Sequence, residues 1–287
     1  MSNLKLRFDS GVSEFLRNSI DLEKEASIHS FILSLAARYQ KSGRAPTCMV
    51  RGIDKTGQFI IAGIQTESNR PIIISKCSEN NARLFARELA TKISDLPGVN
   101  GPVPGVDTFA KVWTEIKSCG LESGPNLRLF ELRTVNPPRK ASGSFRVAKA
   151  KDEAVIFGWL REFHHEAVPH DPVQSDDELY RDIRDATKNE QFFVWEDEGN
   201  CVSLVVSRRE TSSERWVGPV YTPKNLRGRG YASSLVAAVS ERIVGSGKKG
   251  MLFTDLANPT SNGIYQKIGY NPVADFRQFV FTSKPKT

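Results

Sequence analysis

Arg227-Gly228-Arg229-Gly230-Tyr231-Ala232 opens the Ala-rich apolar run of residues 233–243 and has the make-up of an anion-binding turn at the start of a helix. The first turn of a helix leaves backbone N–H groups without intrahelical partners and carries the positive end of the helix dipole, so an anion is stabilised there. Glycine at 228 and 230 removes the Cβ atoms that would keep a ligand away from the backbone. The stretch therefore predicts a loop that holds a pyrophosphate.

Two common loops of this kind are excluded by the residues. A P-loop needs Gly, four residues and then Gly-Lys-Ser/Thr, and no such run occurs. A dinucleotide fold needs a third glycine in G-x-G-x-x-G, where this chain has Ser233. What remains is Arg-x-x-Gly-x-Ala. Upstream lies Trp216-Val-Gly-Pro-Val-Tyr-Thr222, a β-rich segment in which Gly218-Pro219 favours a bulge or splayed edge over an unbroken central strand. Downstream come a predicted strand over 251–256 and then Asn258-Pro-Thr-Ser-Asn262-Gly-Ile-Tyr265-Gln-Lys-Ile-Gly269-Tyr270.

That order of splayed strand, loop, helix, strand, Asn, Tyr and Gly-Tyr resembles the GNAT superfamily of acyl-CoA-dependent N-acyltransferases, over roughly residues 144–282, with the glycine N-acyltransferase-like branch as the nearest likeness. The resemblance implies acetyl-CoA, leaving as coenzyme A, as co-substrate. The N–H groups of Gly228, Arg229, Gly230, Tyr231, Ala232 and Ser233 would take the pyrophosphate, and Arg227 or Arg229 would add charge-assisted contacts. Backbone of the segment Val220, Tyr221, Thr222 would pair with the pantetheine arm as an added strand does. Asn258 and Asn262 would contact the same arm. Tyr265 would return a proton to the departing thiolate; read from its helix alone, beside Ile264 and Ile268, it is equally a packed aromatic with its hydroxyl at the rim. The general base stays open among His164, His165, Glu166 and His170, with Glu214 and Asp255 as further possibilities or ordered water instead. No metal is implied.

The chain has 287 residues, which favours two domains. Its 39% hydrophobic and 25% charged residues are ordinary for a globular protein. The longest apolar runs, such as 59–64, fall far short of a membrane span, and the N-terminus lacks the apolar core of a signal peptide. Cysteines 48, 77, 119 and 201 show no metal spacing, so a reduced, cytoplasmic setting is expected. The net charge of +7 is spread thinly: residues 1–140 hold 20 Lys/Arg against 14 Asp/Glu, and 141–287 hold 20 against 19. No dense basic block with interleaved aromatics occurs, which argues against a nucleic-acid partner.

Residues 136–144, Asn-Pro-Pro-Arg-Lys-Ala-Ser-Gly-Ser, read as a linker, giving domains 1–138 and 139–287. In the first, a helical stretch over 12–40 precedes a hairpin of 47–53 and 58–65, a strand over 71–75 and helices over 82–93 and 108–117. In the second, a strand over 144–148 precedes helices over 153–166 and 176–186, strands over 191–196 and 202–209, the motifs above, and a final pair of strands near 272–282. Helix 82–93 superposes on 232–243 in its apolar positions, and Thr108, Val112, Trp113 and Ile116 fall against Thr260, Ile264, Tyr265 and Ile268. The chain thus reads as α/β, two GNAT-like domains in tandem, each a mixed, mostly antiparallel sheet flanked by helices. The first copy is degenerate: Cys77 stands for Arg227, Asn80 for Gly230 and Trp113 for Tyr265, which leaves it to pack and to wall the acceptor site. The expected activity is transfer of an acetyl group to a small primary amine or amino-acid-type acceptor; the alternative is a non-catalytic acyl-CoA-binding regulatory or interaction module.

Overall fold

The computed structural model describes residues 4–169 and 172–283, and its chain divides into two units: Met1–Leu129 with Thr254–Ala257 and Pro272–Thr287, and Phe130–Phe253 with Asn258–Asn271. In chain order the elements are β1 (Leu4–Phe8), α1 (Val12–Asn18), a 3-10 turn (Ile20–Glu25), α2 (Ala26–Ser42), β2 (Cys48–Asp54), β3 (Phe59–Gln65), β4 (Ile72–Ile74), α3 (Glu79–Ala90), β5 (Gly98–Pro102), α4 (Gly105–Lys117) and β6 (Gly120–Leu132). They continue with β7 (Ser144–Val147), α5 (Glu153–Ala167), α6 (Asp176–Lys188), β8 (Phe192–Asp197), β9 (Asn200–Val206), β10 (Glu214–Trp216), β11 (Val220–Tyr221), α7 (Tyr231–Gly245), β12 (Lys249–Asp255), α8 (Pro259–Ile268) and β13 (Asn271–Thr282).

The first unit is a mixed sheet in the order β1-β2-β3-β4-β5-β13-β6, in which β1-β2-β3-β4 and β5-β13 pair antiparallel and β4 runs parallel to β5. Helices α3 and α4 pack their apolar faces on one side, with Phe85, Leu89, Phe109 and Trp113 fully buried. Helices α1 and α2 cover the other side through Phe15, Ile32 and Leu35. The expected helix over 12–40 is instead two helices joined by the 3-10 turn, because the chain leaves helical geometry at Ser19 (φ −110°, ψ 23°). Three strands escaped the sequence reading: β1, β5 and β6. Gly98-Val-Asn-Gly-Pro102 has turn composition, yet its glycines serve close strand contacts. A Cβ at Gly98 would lie 2.1 Å from the Phe279 carbonyl oxygen, and one at Gly101 2.6 Å from Ile74 Cγ1. The expected pair of strands near 272–282 is one continuous strand, β13, which pairs with β5 in the first unit.

In the second unit, β11-β9-β8-β7 form an antiparallel sheet, and β10 pairs in parallel with β12. Helix α7 lies against a core of Phe193, Val205, Leu235, Val236, Val239 and Tyr270, while α5 and α6 share a second core with Ile156, Ile183, Val194, Leu204 and Tyr221. The alternation along β9 explains the two layers, since Val205 and Leu204 point to opposite faces. Arg146 on β7 holds Asp152 (Nη1 to Oδ2, 2.6 Å) and Glu196 on β8 (Nε to Oε2, 2.7 Å), tying the start of α5 to this sheet.

Candidate active site

The segment expected to splay does so. Glu214–Trp216 pairs with β12, and Val217 N–H still donates to Met251 O; at Gly218 the backbone turns through φ 128°, and Val220–Tyr221 pairs with β9 instead. Only glycine adopts such a φ without strain. The strand thus leaves β12 and becomes the edge of the four-stranded sheet. Because Val206 N–H donates to Pro219 O and antiparallel pairing alternates, the N–H and C=O of Val220 point away from β9 toward the open edge. Thr222 shares that parity, but its carbonyl accepts from Arg227 Nε at 2.8 Å. Tyr221 points into the α5 layer, where its hydroxyl donates to Glu162. Burial first, then that carboxylate, pushes the Tyr221 phenol up to about 12.

A 3-10 turn over Lys224–Leu226 leads into the glycine loop. Gly228 (φ 78°) and Gly230 (φ 81°) are both left-handed, and a Cβ at Gly228 would meet nothing within 4 Å while one at Gly230 would meet only Ala141 Cβ, at 3.7 Å. Their glycine requirement is conformational, and the space beside them is open. The first helical bond of α7 runs from Ser234 N–H to Gly230 O, so the N–H groups of Tyr231, Ala232 and Ser233 have no partner inside the helix. The side chains around the turn are held by partners within the protein. Tyr231 is buried with its hydroxyl on Asp197 Oδ2 at 2.6 Å, so only its backbone faces the loop. Arg227 is held by Thr222 O and by Glu166 Oε2 at 2.8 Å, with its guanidinium over the Tyr221 ring. Arg229 reaches Asn225 O.

Helix α8 carries the remaining candidates. Asn258 is its N-cap, accepting from Ser261 N–H at 3.0 Å, and Asn262 Nδ2 donates back to Asn258 O. Tyr265 packs at the margin of the α7 core, edge-on to Tyr270, and Val220 packs on the same core. The residue is half-buried, burial pushes the Tyr265 phenol up to about 12, and among the described residues its hydroxyl has no hydrogen-bond partner. The phenol therefore keeps its proton at neutral pH.

Of the base candidates, His165 and Glu166 line an open cleft of about 390 Å³ together with Glu162, Tyr221, Pro223, Lys224 and Asn225. Glu166 is held below the usual carboxylate range by Arg227 and Lys224. Glu214 is buried on β10 beside Lys249, 2.9 Å away. Asp255 caps a turn by accepting from Ala257 N–H. His170 lies outside the described residues. Glu162 was missed in the sequence, although its i,i+4 spacing from Glu166 puts both on one helix face. No group of three or more metal-ligating side chains occurs among the described residues, and no helix among them is long and apolar enough to cross a membrane.

A strand that leaves its neighbour, a left-handed glycine turn and an uncapped helix start lie in the second unit, and the chain as a whole has the fold of GNAT-family acetyltransferases. A sequence model of the FR47-like protein family matches residues 187–279, the part that holds these features. Among solved structures, a GNAT-family acetyltransferase from Colwellia psychrerythraea is 10% identical with a TM-score of 0.63, covering 97% of this chain and 100% of its own. A GCN5-related N-acetyltransferase from Sphaerobacter thermophilus is 13% identical (TM-score 0.66; 97% and 95% covered). A tandem GNAT protein from the clavulanic acid biosynthesis pathway is 10% identical (TM-score 0.55; 99% of each chain). No curated protein matches the chain.

Proposed function

We propose that the chain transfers an acetyl group from acetyl-CoA to a primary amine by direct attack on the thioester. The observation that carries this reading is the open edge at Val220 joined, through ten residues, to the uncapped start of α7. A thioester is already activated, so the protein's task is to align it, stabilise the developing oxyanion and manage protons. The loop N–H groups of residues 228–233 fit a pyrophosphate, and Val220 offers one donor and one acceptor to an amide-bearing arm. The amine, freed of one proton, forms the C–N bond as the C–S bond breaks, and its nitrogen gives up a second proton to solvent; the thiolate takes the proton of Tyr265, which solvent restores, so one proton is released overall. Asn258 and Asn262 serve this site by building the α8 start that carries Tyr265 rather than by free side-chain donors. The fit to the glycine N-acyltransferase-like branch rests on the sequence likeness over roughly residues 144–282.

The division of labour we propose places cofactor chemistry in residues 139–287. In the first unit the matching helix, α3, is capped by its own Ser78, whose Oγ accepts from Asn81 N–H, and Ser78 rather than Asn80 occupies the position of Gly230. Burial pushes the Cys77 thiol up to about 12, Trp113 is stacked between Phe109 and Phe281, and Gly101 closes on Ile74. These features suit a copy without a cofactor. Thiol release from acetyl-CoA, followed with a panel of primary amines, tests the reading. Amine-dependent release supports it, whereas binding of acetyl-CoA without release by any amine favours the non-catalytic module.

A further inference from the structure

The far end of α7 carries a cavity of its own. Ser207, just after β9, Arg215 on β10, and Arg242 and Ser246 at the end of α7 line a space of about 210 Å³ over Phe193 and Val239. This lining holds two guanidinium groups and no carboxylate. Helix α7 has 15 residues, about 22 Å at 1.5 Å each, so the cavity is separate from the glycine turn at the helix start. The negative end of the helix dipole is blunted here, because the carbonyls of Arg242, Ile243 and Val244 accept from the N–H groups of Ser246, Gly247 and Lys248.

The lining also has donors to spare. A guanidinium carries five N–H donors. Arg215 gives two of them, each at 3.1 Å: Nε to Ser207 Oγ and Nη2 to the Ser207 carbonyl. Its carboxylate partner, Glu210, lies 3.9 Å from Nη1, past hydrogen-bond range, and is held by Lys248 at 3.1 Å. Arg242 gives one donor, to Glu190 at 2.9 Å; both side chains are about half exposed, and such a pair adds little. The Arg242 guanidinium stands over the Phe193 ring, 5.6 Å from its centroid. Ser207 is fully buried, and its hydroxyl accepts from Arg215 but has no acceptor of its own among the described residues. A buried hydroxyl proton left without a partner costs free energy that a ligand oxygen recovers.

We propose that this cavity binds a phosphate group, as inorganic phosphate or as a small phosphomonoester, with Arg215 and Arg242 on its oxygens and the Ser207 hydroxyl donating to a third. Donors from the end of β9, from β10 and from α7 suit the three oxygens of a phosphoryl group better than the two of a carboxylate. The site does not depend on the transferase reading.

Calorimetric titration of inorganic phosphate, phenyl phosphate and benzoate into the full chain, into Arg242→Gln and into Glu190→Gln tests this, each repeated in saturating acetyl-CoA. Arg242 and Glu190 are exposed, so both substitutions leave the fold intact. The expected result is phosphate binding that acetyl-CoA leaves in place. It weakens about tenfold in Arg242→Gln, through loss of one charge-assisted contact, and tightens in Glu190→Gln, which removes the competitor for Arg242. Tighter binding of phenyl phosphate than of the free ion assigns the site to a phosphomonoester, and the reverse to the ion; both support the proposal. Equal phosphate affinity in the native chain and Arg242→Gln, tighter binding of benzoate than of phenyl phosphate, or no binding of either phosphate overturns it. Phosphate that acetyl-CoA displaces also overturns it, by giving the ion to the glycine turn. Arg242-dependent phosphate binding in a protein that binds no acetyl-CoA supports this site and sinks only the transferase reading.

Discussion

The Tyr265 side chain is half-buried and its hydroxyl has no hydrogen-bond partner among the described residues, and burial pushes the phenol up to about 12. Tyr265→Phe is expected to lower turnover by ~10²-fold or more while acetyl-CoA affinity stays within twofold, as for loss of a general acid. Because the phenol titrates far above neutrality, any alkaline fall in rate below about pH 10 belongs to another group, and the same fall is expected in the variant. An equal rate of thiol release by both proteins excludes Tyr265 as the acid. The glycines were legible at this scale because a positive φ is a local demand that one residue type meets. The partners of Tyr221 and Arg227 were not, since Glu162 and Glu166 lie 59 and 61 residues away in sequence and only the fold brings them in.

At the scale of elements, the start of α5 depends on one ion pair. Burial opposes ionisation of Asp152, but hydrogen bonds from Arg146 and from the Lys149 backbone overcome it and bring its pKa to about 2. A carboxylate whose pKa is depressed on folding adds stability above its unfolded value and loses it as pH falls through the folded one. Asp152→Asn is therefore expected to cost on the order of 2 kcal/mol at pH 7. Chemical denaturation should show the gap between the two proteins closing from pH 4 toward pH 2; a gap that is constant across that range contradicts the account. Helix and hairpin signals of period 3.6 and 2 were readable in sequence for α3, α7, β2 and β3. The strand β5 was not, because Gly98 and Gly101 look like turn residues until the neighbouring backbone that requires them is in place.

For the whole molecule, the C-terminal strand is part of the first unit's core. Phe276 and Phe279 are buried, Arg277 pairs with Asp107, and Asp275 with Arg128. Residues 1–138 expressed alone lack β13 and leave the β5 edge bare, so this fragment is expected to be unfolded or aggregated and to be rescued by a peptide of residues 271–283 supplied in trans. A fragment that melts cooperatively without the peptide contradicts this. The two-copy organisation was readable because the apolar spacing of two helix pairs repeats; the return of the last strand was not, since a strand's pattern does not name its partner.

The central claim is that the Gly228–Gly230 turn and the start of α7 bind an acyl-CoA. Calorimetric titration of acetyl-CoA into the native chain, into Gly230→Val and into Gly43→Val tests it. Both glycines are left-handed at a helix end, so each substitution costs about 1–2 kcal/mol in backbone strain, but Gly43 ends α2 in the first unit and is no part of the loop. The prediction is one site in the native protein and in Gly43→Val, lost in Gly230→Val. Undiminished binding by Gly230→Val, or no binding by the native protein, contradicts it.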